Sequence, residues 1–252
     1  MIGLNGGLLG VRNVPTLATA SGLWVPNEQS LAQRAGIWPL GIAPDPDFAS
    51  VSLLLHMNGT NGSTTFTDSS SNAITVTGYF NAQISTAQSK FGGASAYFDG
   101  NNDHLLTASS LAPLQMGTGD FTVEAFIRPT SSVASYRALL ALTSDSIDNF
   151  YIVSGKLQWY NSGTVAGTIA VDTWYHIAAS RQGTSMRVFI DGALVNTSTN
   201  SNNITLGRVV VGGPGALNGE WFQGWMDEVR ITKGVARYTA NFTPPTAPFP
   251  DA

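Results

Sequence analysis

The stretch 174–197 reads WYHIAASRQGTSMRVFIDGALVNT, and its pattern decides the fold. It holds three short segments rich in β-branched, aromatic and other apolar residues, each with the length of a strand. Asp191-Gly192 separates the last two segments, and this dipeptide supplies the positive φ angles of a type I′ turn. The stretch therefore predicts a meander of three antiparallel strands, at residues 175–180, 186–190 and 194–197.

Strand signals recur on both sides of this meander. Residues 121–127 (FTVEAFI) alternate, with the odd-numbered apolar residues on one face and Thr122, Glu124 and Phe126 on the other. This is the period of a half-buried strand. Ser154-Gly155 joins two segments as a hairpin. Many short strands and one plausible helix predict an all-β, two-sheet antiparallel jelly-roll sandwich. The other predicted strands are 51–57, 94–98, 150–153, 156–160, 208–211 and 221–231.

Composition agrees with a β-sandwich and excludes several classes of protein. Only 11% of the residues are charged and Gly numbers 27, so small polar residues, and not charged ones, keep the surface hydrated. This balance fits strands joined by polar turns better than surface helices. The net charge is -4 with no cluster of Lys or Arg, so we expect no nucleic-acid partner. Cys is absent, which excludes disulfides and thiolate sites.

No apolar run approaches the ~20 residues of a membrane span, so we expect a soluble protein with no membrane partner. Residues 17–20 (LATA) look like a cleavage site, but no basic residue precedes an uninterrupted apolar run, as a secretory signal requires.

A composition shift at 43–47 (APDPD) divides the chain. Two X-Pro bonds favour an extended connector there, so we assign 1–47 to an N-terminal arm and 48–252 to the sandwich. Residues 27–35 predict one short helix within the arm. The large apolar side chains of the arm are too few for a core of their own, so they either pack on the sandwich or dock on a neighbouring subunit. They are Trp24, Leu31, Ile37 and Trp38.

Four motifs occur in an order that resembles a known family. They are FTVEAFIRP at 121–129, WYHIA at 174–178, VFIDG at 188–192 and GWMDEVRI at 224–231. Together they resemble the LamG-like jelly-roll domains of the concanavalin A-like lectin/glucanase superfamily, over about residues 48–252. The resemblance implies a fold that binds or decorates, with calcium possible at loops on the sandwich rim.

A narrower resemblance concerns the origin of the chain. HMNGTNGS at 56–63, KFGGA at 90–94 and KGVARY at 233–238 are similar to LamG-type proteins of tailed bacteriophages. The arm segment 22–39 resembles one that precedes phage appendage or decoration proteins. These likenesses imply a structural component at the virion surface, a capsid decoration or tail-fibre protein. Its arm would dock on other virion proteins, and we expect a homo-oligomer. A host-recognition lectin is the alternative, and a glycan-cleaving enzyme is less favoured.

The carboxylate pattern argues against catalysis. Retaining glycanases need two carboxyl groups ~5–5.5 Å apart, and this superfamily's glucanases arrange them as Glu-x-Asp-x-x-Glu. None of the four Glu begins such a pattern. Asp227 and Glu228 are adjacent, so in a strand they point to opposite faces and cannot be the catalytic pair. Glu124 could serve as a lone base, but the favoured alternative is a salt bridge or hydrogen bond to an Arg on a neighbouring strand, such as Arg128, Arg187 or Arg230. We therefore predict no enzyme.

The sequence also predicts a calcium site and a carbohydrate-binding site, and each pattern has a purely structural explanation as well. Asp99, Asn101 and Asp103 place oxygen atoms at alternate positions, as calcium loops do, but side chains bonding their own backbone in a turn would explain the same pattern. The family resemblance extends the calcium prediction to Asp145 and Asp148. Exposed aromatic rings beside amide groups can stack on sugars, although large aromatics usually fill cores. The carbohydrate candidates are Trp159, Tyr160, Asn161 and Trp221.

Overall fold

The computed structural model describes residues 44–130, 136–142, 149–159, 167–216 and 219–252, and these form an antiparallel β-sandwich. Two one-turn 3₁₀ helices, Phe48–Ser50 and Ala112–Leu114, accompany the strands. Within the described ranges the strands are β1 (Val51–Leu55), β2 (Thr65–Phe66), β3 (Val76–Tyr79), β4 (Gln83–Ser85), β5 (Ser95–Asp99), β6 (His104–Thr107), β7 (Phe121–Pro129), β8 (Arg137–Ala141), β9 (Asn149–Val153), β10 (Lys156–Trp159), β11 (Tyr175–Gln182), β12 (Ser185–Ile190), β13 (Ala193–Thr199), β14 (Val210–Val211) and β15 (Gln223–Lys233).

The strands form two sheets that confirm the predicted jelly-roll sandwich. The first has the order β13-β12-β11-β7-β15-β5-β4, with β1 also paired to β15, which makes eight strands among the described residues. The second has the order β10-β9-β8-β14-β6-β3-β2. The chain crosses between sheets repeatedly, so most neighbours are distant in sequence. Side chains from the two inner faces interdigitate into one core, as sandwich packing requires.

The two dipeptide turns of the sequence prediction are confirmed. Asp191 and Gly192 have φ of 46° and 76°, and they join β12 to β13. Ser154 and Gly155 have φ of 51° and 69°, and they join β9 to β10. Two consecutive positive φ angles are the signature of the type I′ turn, whose twist matches that of the flanking strands.

β7 lies in the middle of the first sheet and departs from its prediction. Its odd-numbered residues from Phe121 to Ile127 face the core, as the alternation predicts. However, Thr122, Glu124 and Phe126 are buried too, so the strand is not half-buried. The cause is residues 234–252, here called the C-terminal segment, which cover the outer face of this sheet. Phe249 is 3% exposed and packs near Phe126, with ring centroids 6.3 Å apart.

The boundary of the sandwich also differs from the prediction. Asp45, assigned to an extended connector, is 8% exposed and belongs to the sandwich. Its carboxylate accepts hydrogen bonds from Arg230 (2.9 Å) and Arg237 (2.7 Å), and its N–H donates to the carbonyl of Ala252. The predicted arm residues Trp24, Leu31, Ile37 and Trp38 lie outside the described residues. No helix in the described ranges is long and apolar enough to cross a membrane.

Candidate functional site

Glu124 lies at the centre of a buried charge cluster beneath the C-terminal segment. One carboxylate oxygen accepts hydrogen bonds from Arg230, at 2.9 Å from Nε and 2.8 Å from Nη2. The other accepts from Nε2 of His176 at 3.1 Å and from the hydroxyl of Tyr238 at 2.7 Å. Arg230 also pairs with Asp45, near the start of the sandwich. Because Tyr238 belongs to the C-terminal segment, residues from both ends of the sandwich take part in the cluster. Pairing with Arg230 was among the predicted alternatives and is confirmed.

The electrostatics of this cluster favour a fixed charge. Burial alone would raise the pKa of Glu124, but the charge of Arg230 and the hydrogen bonds from His176 and Tyr238 outweigh it. They lower the pKa of Glu124 to about 2. Burial, with the charge of Glu124 beside it, raises the pKa of the Tyr238 hydroxyl well above its usual value. A carboxylate held ionised by this many donors stabilises the fold and is a poor proton acceptor.

The prediction that Asp227 and Glu228 point to opposite faces is wrong. β15 has a bulge there, with Glu228 at φ 51°, and a bulge breaks the alternation of a strand. Both side chains reach the outer face, where Asp227 accepts N–H bonds from Lys90 (2.8 Å) and Phe91 (3.0 Å). Glu228 accepts from the Phe249 N–H at 2.8 Å. Burial raises the pKa of Asp227 to about 7.

Glu228 also helps to hold the end of the chain. Its carboxylate lies 2.9 Å from Nδ1 of His56, whose Nε2 lies 2.6 Å from the carboxylate of Asp251. Burial would lower the pKa of His56, but hydrogen bonds to these two carboxylates raise it to about 9. Glu124, Asp227 and Glu228 are each no more than 1% exposed. The C-terminal segment therefore covers this face, and the three carboxyl groups are buried beneath it.

The aromatic candidates of the sequence occupy different environments. Trp159 is 1% exposed and packs in the core against Phe121 and Phe150, so its ring is not available to a sugar. Tyr160 and Asn161 lie outside the described residues. Trp221 is half-buried, and its ring stacks on His104 with centroids 5.2 Å apart.

The Asp99–Asp103 loop has the geometry of a turn. The Asp103 carboxylate is fully buried and accepts N–H bonds from Asn81 and Asp99, each at 2.7 Å. The Asp99 carboxylate accepts from the Asn101 N–H at 2.7 Å and from the Asn81 amide at 2.9 Å. These donors occupy the oxygen atoms that the calcium prediction assigned to a metal, as its alternative anticipated. In the ranges that the structure describes, no group of three acidic or His side chains could hold a metal ion. The predicted ligands Asp145 and Asp148 are not among the described residues.

A cluster of aromatic rings lies beside this loop, on the outer side of the second sheet. Tyr79 ends β3 and pairs with His104 of β6, and the two rings stack at 4.8 Å with planes 3° apart. Phe80 follows at 6.1 Å from His104, and Trp221 stacks on the same imidazole. Leu105, the next residue along β6, faces the core, so these rings face away from it. We call Tyr79, Phe80, His104 and Trp221 the aromatic shelf.

The shelf combines exposed rings with a fixed support. Phe80 is 68% exposed and Tyr79 is 41% exposed, whereas His104 is 4% exposed. Nδ1 of His104 donates to the carbonyl of Asn102 at 2.7 Å. Burial and the nearby charge of Arg208 outweigh this bond and lower the pKa of His104, so its ring is neutral at neutral pH. The shelf thus presents apolar surface next to the amides and carboxylates of the turn.

Sequence reasoning found Trp221 and missed the other three shelf residues. Residues 76–79 (VTGY) carry no clear alternation, and β3 forms because β2 and β6 pair with it. The adjacent YF pair at 79–80 before a turn was the available signal. Its partner His104 is distant in sequence, so only the sheet pairing brings the rings together.

Comparison with known proteins places the chain among lectin-like sandwiches. The profile of the concanavalin A-like lectin/glucanases superfamily (Laminin_G_3) matches residues 99–237. No curated protein sequence matches the chain significantly.

Several solved structures share the fold at low sequence identity. Domain 4 of AbnA, an extracellular arabinanase of Geobacillus stearothermophilus solved with arabinotriose, has a TM-score of 0.54 at 17% identity, covering 73% of this chain and 93% of that one. The binding domain of botulinum neurotoxin serotype D has a TM-score of 0.55 at 14% identity, covering 75% of this chain and 49% of that domain. A Trypanosoma rangeli sialidase has a TM-score of 0.54 at 12% identity, covering 73% and 31%. The matched region thus spans about half of the neurotoxin domain.

Proposed function

Because this chain belongs to the concanavalin A-like lectin/glucanase superfamily, we propose that it is a non-catalytic carbohydrate-binding protein displayed on a phage particle. The burial of Glu124, Asp227 and Glu228 beneath the C-terminal segment supports the non-catalytic part of the proposal. Each carboxylate is engaged in holding strands or the chain end, so the fold serves as a scaffold for binding. An arabinanase domain solved with arabinotriose shares this fold, and carbohydrate is the ligand class we assign here.

The virion part of the proposal rests on the sequence. The motifs at 56–63, 90–94 and 233–238 and the arm segment 22–39 resemble phage proteins. In this proposal the arm, through Trp24, Leu31, Ile37 and Trp38, attaches the protein to other capsid or tail proteins. The sandwich then faces outward at the virion surface, as one of several identical copies, and holds cell-surface glycans.

Carbohydrate binding is tested with the full chain on a glycan array, with and without EDTA. We expect retention of at least one glycan family in EDTA, because the Asp99–Asp103 loop is closed by its own hydrogen bonds. Loss of all binding in EDTA would instead indicate that calcium is required. Absence of binding under both conditions would contradict a carbohydrate-binding role. Tight binding, with micromolar or lower Kd, would favour host recognition over decoration with weak adhesion.

Catalysis and display each have a separate test. Incubation with a panel of polysaccharides should release no oligosaccharide, and any release abolished by Glu228→Gln would contradict the non-catalytic assignment. For display, particles are assembled with the full chain or with residues 44–252 alone. We expect only the full chain to be incorporated, and equal incorporation of the shorter chain would contradict docking by the arm.

A further inference from the structure

We propose that the aromatic shelf is the carbohydrate-binding site of this protein and that it takes a neutral glycan, stacking the apolar face of a pyranose ring on Phe80 and Tyr79. This inference rests on the proposed function and adds the place, the ligand class and the residue roles. It includes Trp221, which the sequence already indicated, and it lies apart from the closed face that holds the buried carboxylates.

The exposure of the rings is the first observation that supports this site. Phe80 is the most exposed large apolar side chain in the described part of the sandwich, and Tyr79 beside it is also exposed. Phe80 has φ 58°, a left-handed conformation that bulky residues adopt only where the surrounding structure enforces it. Burial in the core does not repay this strain, because the ring points to solvent. The turn therefore holds a large apolar ring at the surface, in a position where a ligand can contact it.

The second observation is the rigid support of the shelf. The buried Asp103 carboxylate accepts the N–H of Asn81, which ties the turn carrying Phe80 to the loop before β6. The Asn81 side chain in turn donates to Asp99. Tyr79 and Trp221 both stack on His104, which is itself bonded to its own loop. Rings held in this way lose little conformational entropy on binding, which favours affinity. Asp103 is thus a positioning residue and does not touch the ligand.

The third observation is the chemistry of the rim. Asn81 and Asn101 are exposed on this turn, so amide groups of the kind that bond sugar hydroxyls border the rings. Asp99 is half-buried and holds both residues in place by accepting their hydrogen bonds. Burial would raise the pKa of Asp99, but hydrogen bonds from Asn81 and Asn101 outweigh it and lower that pKa, so the rim keeps a negative charge. Arg208, the cation whose charge reaches His104, is half-buried and donates to the carbonyl of Gly215 at 2.6 Å. Such a rim disfavours anionic sugars.

The test measures binding of the best neutral glycan from the array to the full chain and to single variants. Phe80→Ala and Tyr79→Ala should each lower the association constant by about tenfold or more, because each removes a stacking ring. The matched control is Tyr136→Ala, since Tyr136 is as exposed as Tyr79 (40% against 41%) and lies outside the shelf. It should change binding less than about twofold. The midpoint of urea unfolding of each variant identifies any loss of affinity that comes from loss of fold.

Three outcomes would overturn the inference while leaving the proposed function intact. One is a wild-type protein that binds glycan and a folded Phe80→Ala variant that binds equally well. Another is a Tyr136→Ala variant that loses as much affinity as Tyr79→Ala. The last is a preference for sialylated or sulfated glycans, with an affinity that falls steeply between about 0.05 M and about 0.5 M salt, since screening weakens charge contacts and leaves stacking unchanged. Failure of the proposed function is a different result, in which the wild-type protein binds no glycan at all.

Discussion

Glu124 shows how a single residue changes meaning between sequence and structure. From the sequence it is a carboxylate on a strand, able to serve as a base or to pair with an Arg. In the structure three donors, Arg230, His176 and Tyr238, surround it, and its side chain is 0% exposed. Removing one partner from such a cluster leaves a buried charge without compensation, which costs far more than an exposed ion pair contributes.

Replacement of Glu124 is therefore expected to destabilise the sandwich strongly. Glu124→Ala should lower the free energy of unfolding by about 3–5 kcal/mol, and Glu124→Gln by less, because Gln keeps an acceptor and lacks only the charge. Urea unfolding at neutral pH measures both. Glu220, which is exposed, supplies the control, and Glu220→Ala should change the free energy by about 0.5 kcal/mol or less. A Glu124→Ala variant as stable as the wild type would show that the cluster is not required for stability.

His56 predicts a pH dependence of stability in the alkaline range. Its folded pKa of about 9 lies above the unfolded value of 6.5, so its contribution is complete below pH 6.5 and is lost as pH rises through about 9. The Tm of the wild-type protein should fall over this range, and that of His56→Gln should fall less. Asp227, whose folded pKa of about 7 lies above the unfolded value of 3.8, lowers stability as pH rises between those two values, which is below the alkaline range and the same in both proteins. Parallel curves for the two proteins would contradict the role of His56.

At the scale of elements, the C-terminal segment determines what the first sheet can do. Proline residues prevent it from joining a ladder, so it lies along the outer face instead. Tyr238 and Phe242 stack at 3.6 Å, and both rings pack against Phe189 of β12. The Phe242 N–H donates to the carbonyl of Gly192, so the I′ turn between β12 and β13 also anchors this segment.

Gly192 is expected to tolerate no side chain for this reason. A Cβ there would overlap the carbonyl oxygen of Phe242, whereas a Cβ at Gly183 would meet nothing within 4 Å. Both glycines have positive φ, 76° and 57°, so replacement by Ala carries the same conformational cost at each position, about 1 kcal/mol. Gly192→Ala should therefore lower the free energy of unfolding by more than Gly183→Ala. Equal losses in thermal or urea unfolding would mean that the contact with the segment contributes nothing.

The whole molecule depends on residues that the sequence assigned to a connector. Asp45 pairs with Arg230 and Arg237, and it bonds the last residue of the chain, so the sandwich needs its first residues to close the charge cluster. Arg230 and Arg237 have relative side-chain exposures of 6% and 9%. Loss of Asp45 would remove an anionic partner from both guanidinium groups, which are largely buried from water.

Two truncations test this boundary. Residues 44–252 should fold cooperatively, whereas residues 48–252, which lack Asp45, should be less stable by about 3 kcal/mol. Circular dichroism with urea unfolding compares the two. As a control, Asp47→Ala within 44–252 should have a small effect, because Asp47 is 40% exposed and lies 3.9 Å from Arg237. Equal stability of the two truncations would show that residues 44–47 are not needed by the sandwich and that its boundary lies at residue 48.

The sequence by itself determined the fold class and its best-formed strands. Alternation in 121–127, the Asp191-Gly192 and Ser154-Gly155 turns and the ordered motifs are local signals, since propensity and turn geometry depend on neighbours in the chain. The pairing of Glu124 with a cross-strand Arg also followed, because a carboxylate on a sheet face needs a nearby cation. Short strands such as β3 and β4 escaped prediction because their pairing partners, and not their composition, stabilise them.

Only the tertiary structure decided which surfaces are open. The C-terminal segment closes one face and the bulge at Asp227–Glu228 turns both carboxyls toward it, and neither effect can be derived from local periodicity. Trp159 and Trp221 have similar local sequence signals, yet the sandwich buries one and leaves the other beside His104. The aromatic shelf joins residues 79–80, 104 and 221, which are distant along the chain. Exposure and proximity are properties of the packed molecule, and for that reason the candidate site emerged only with the fold.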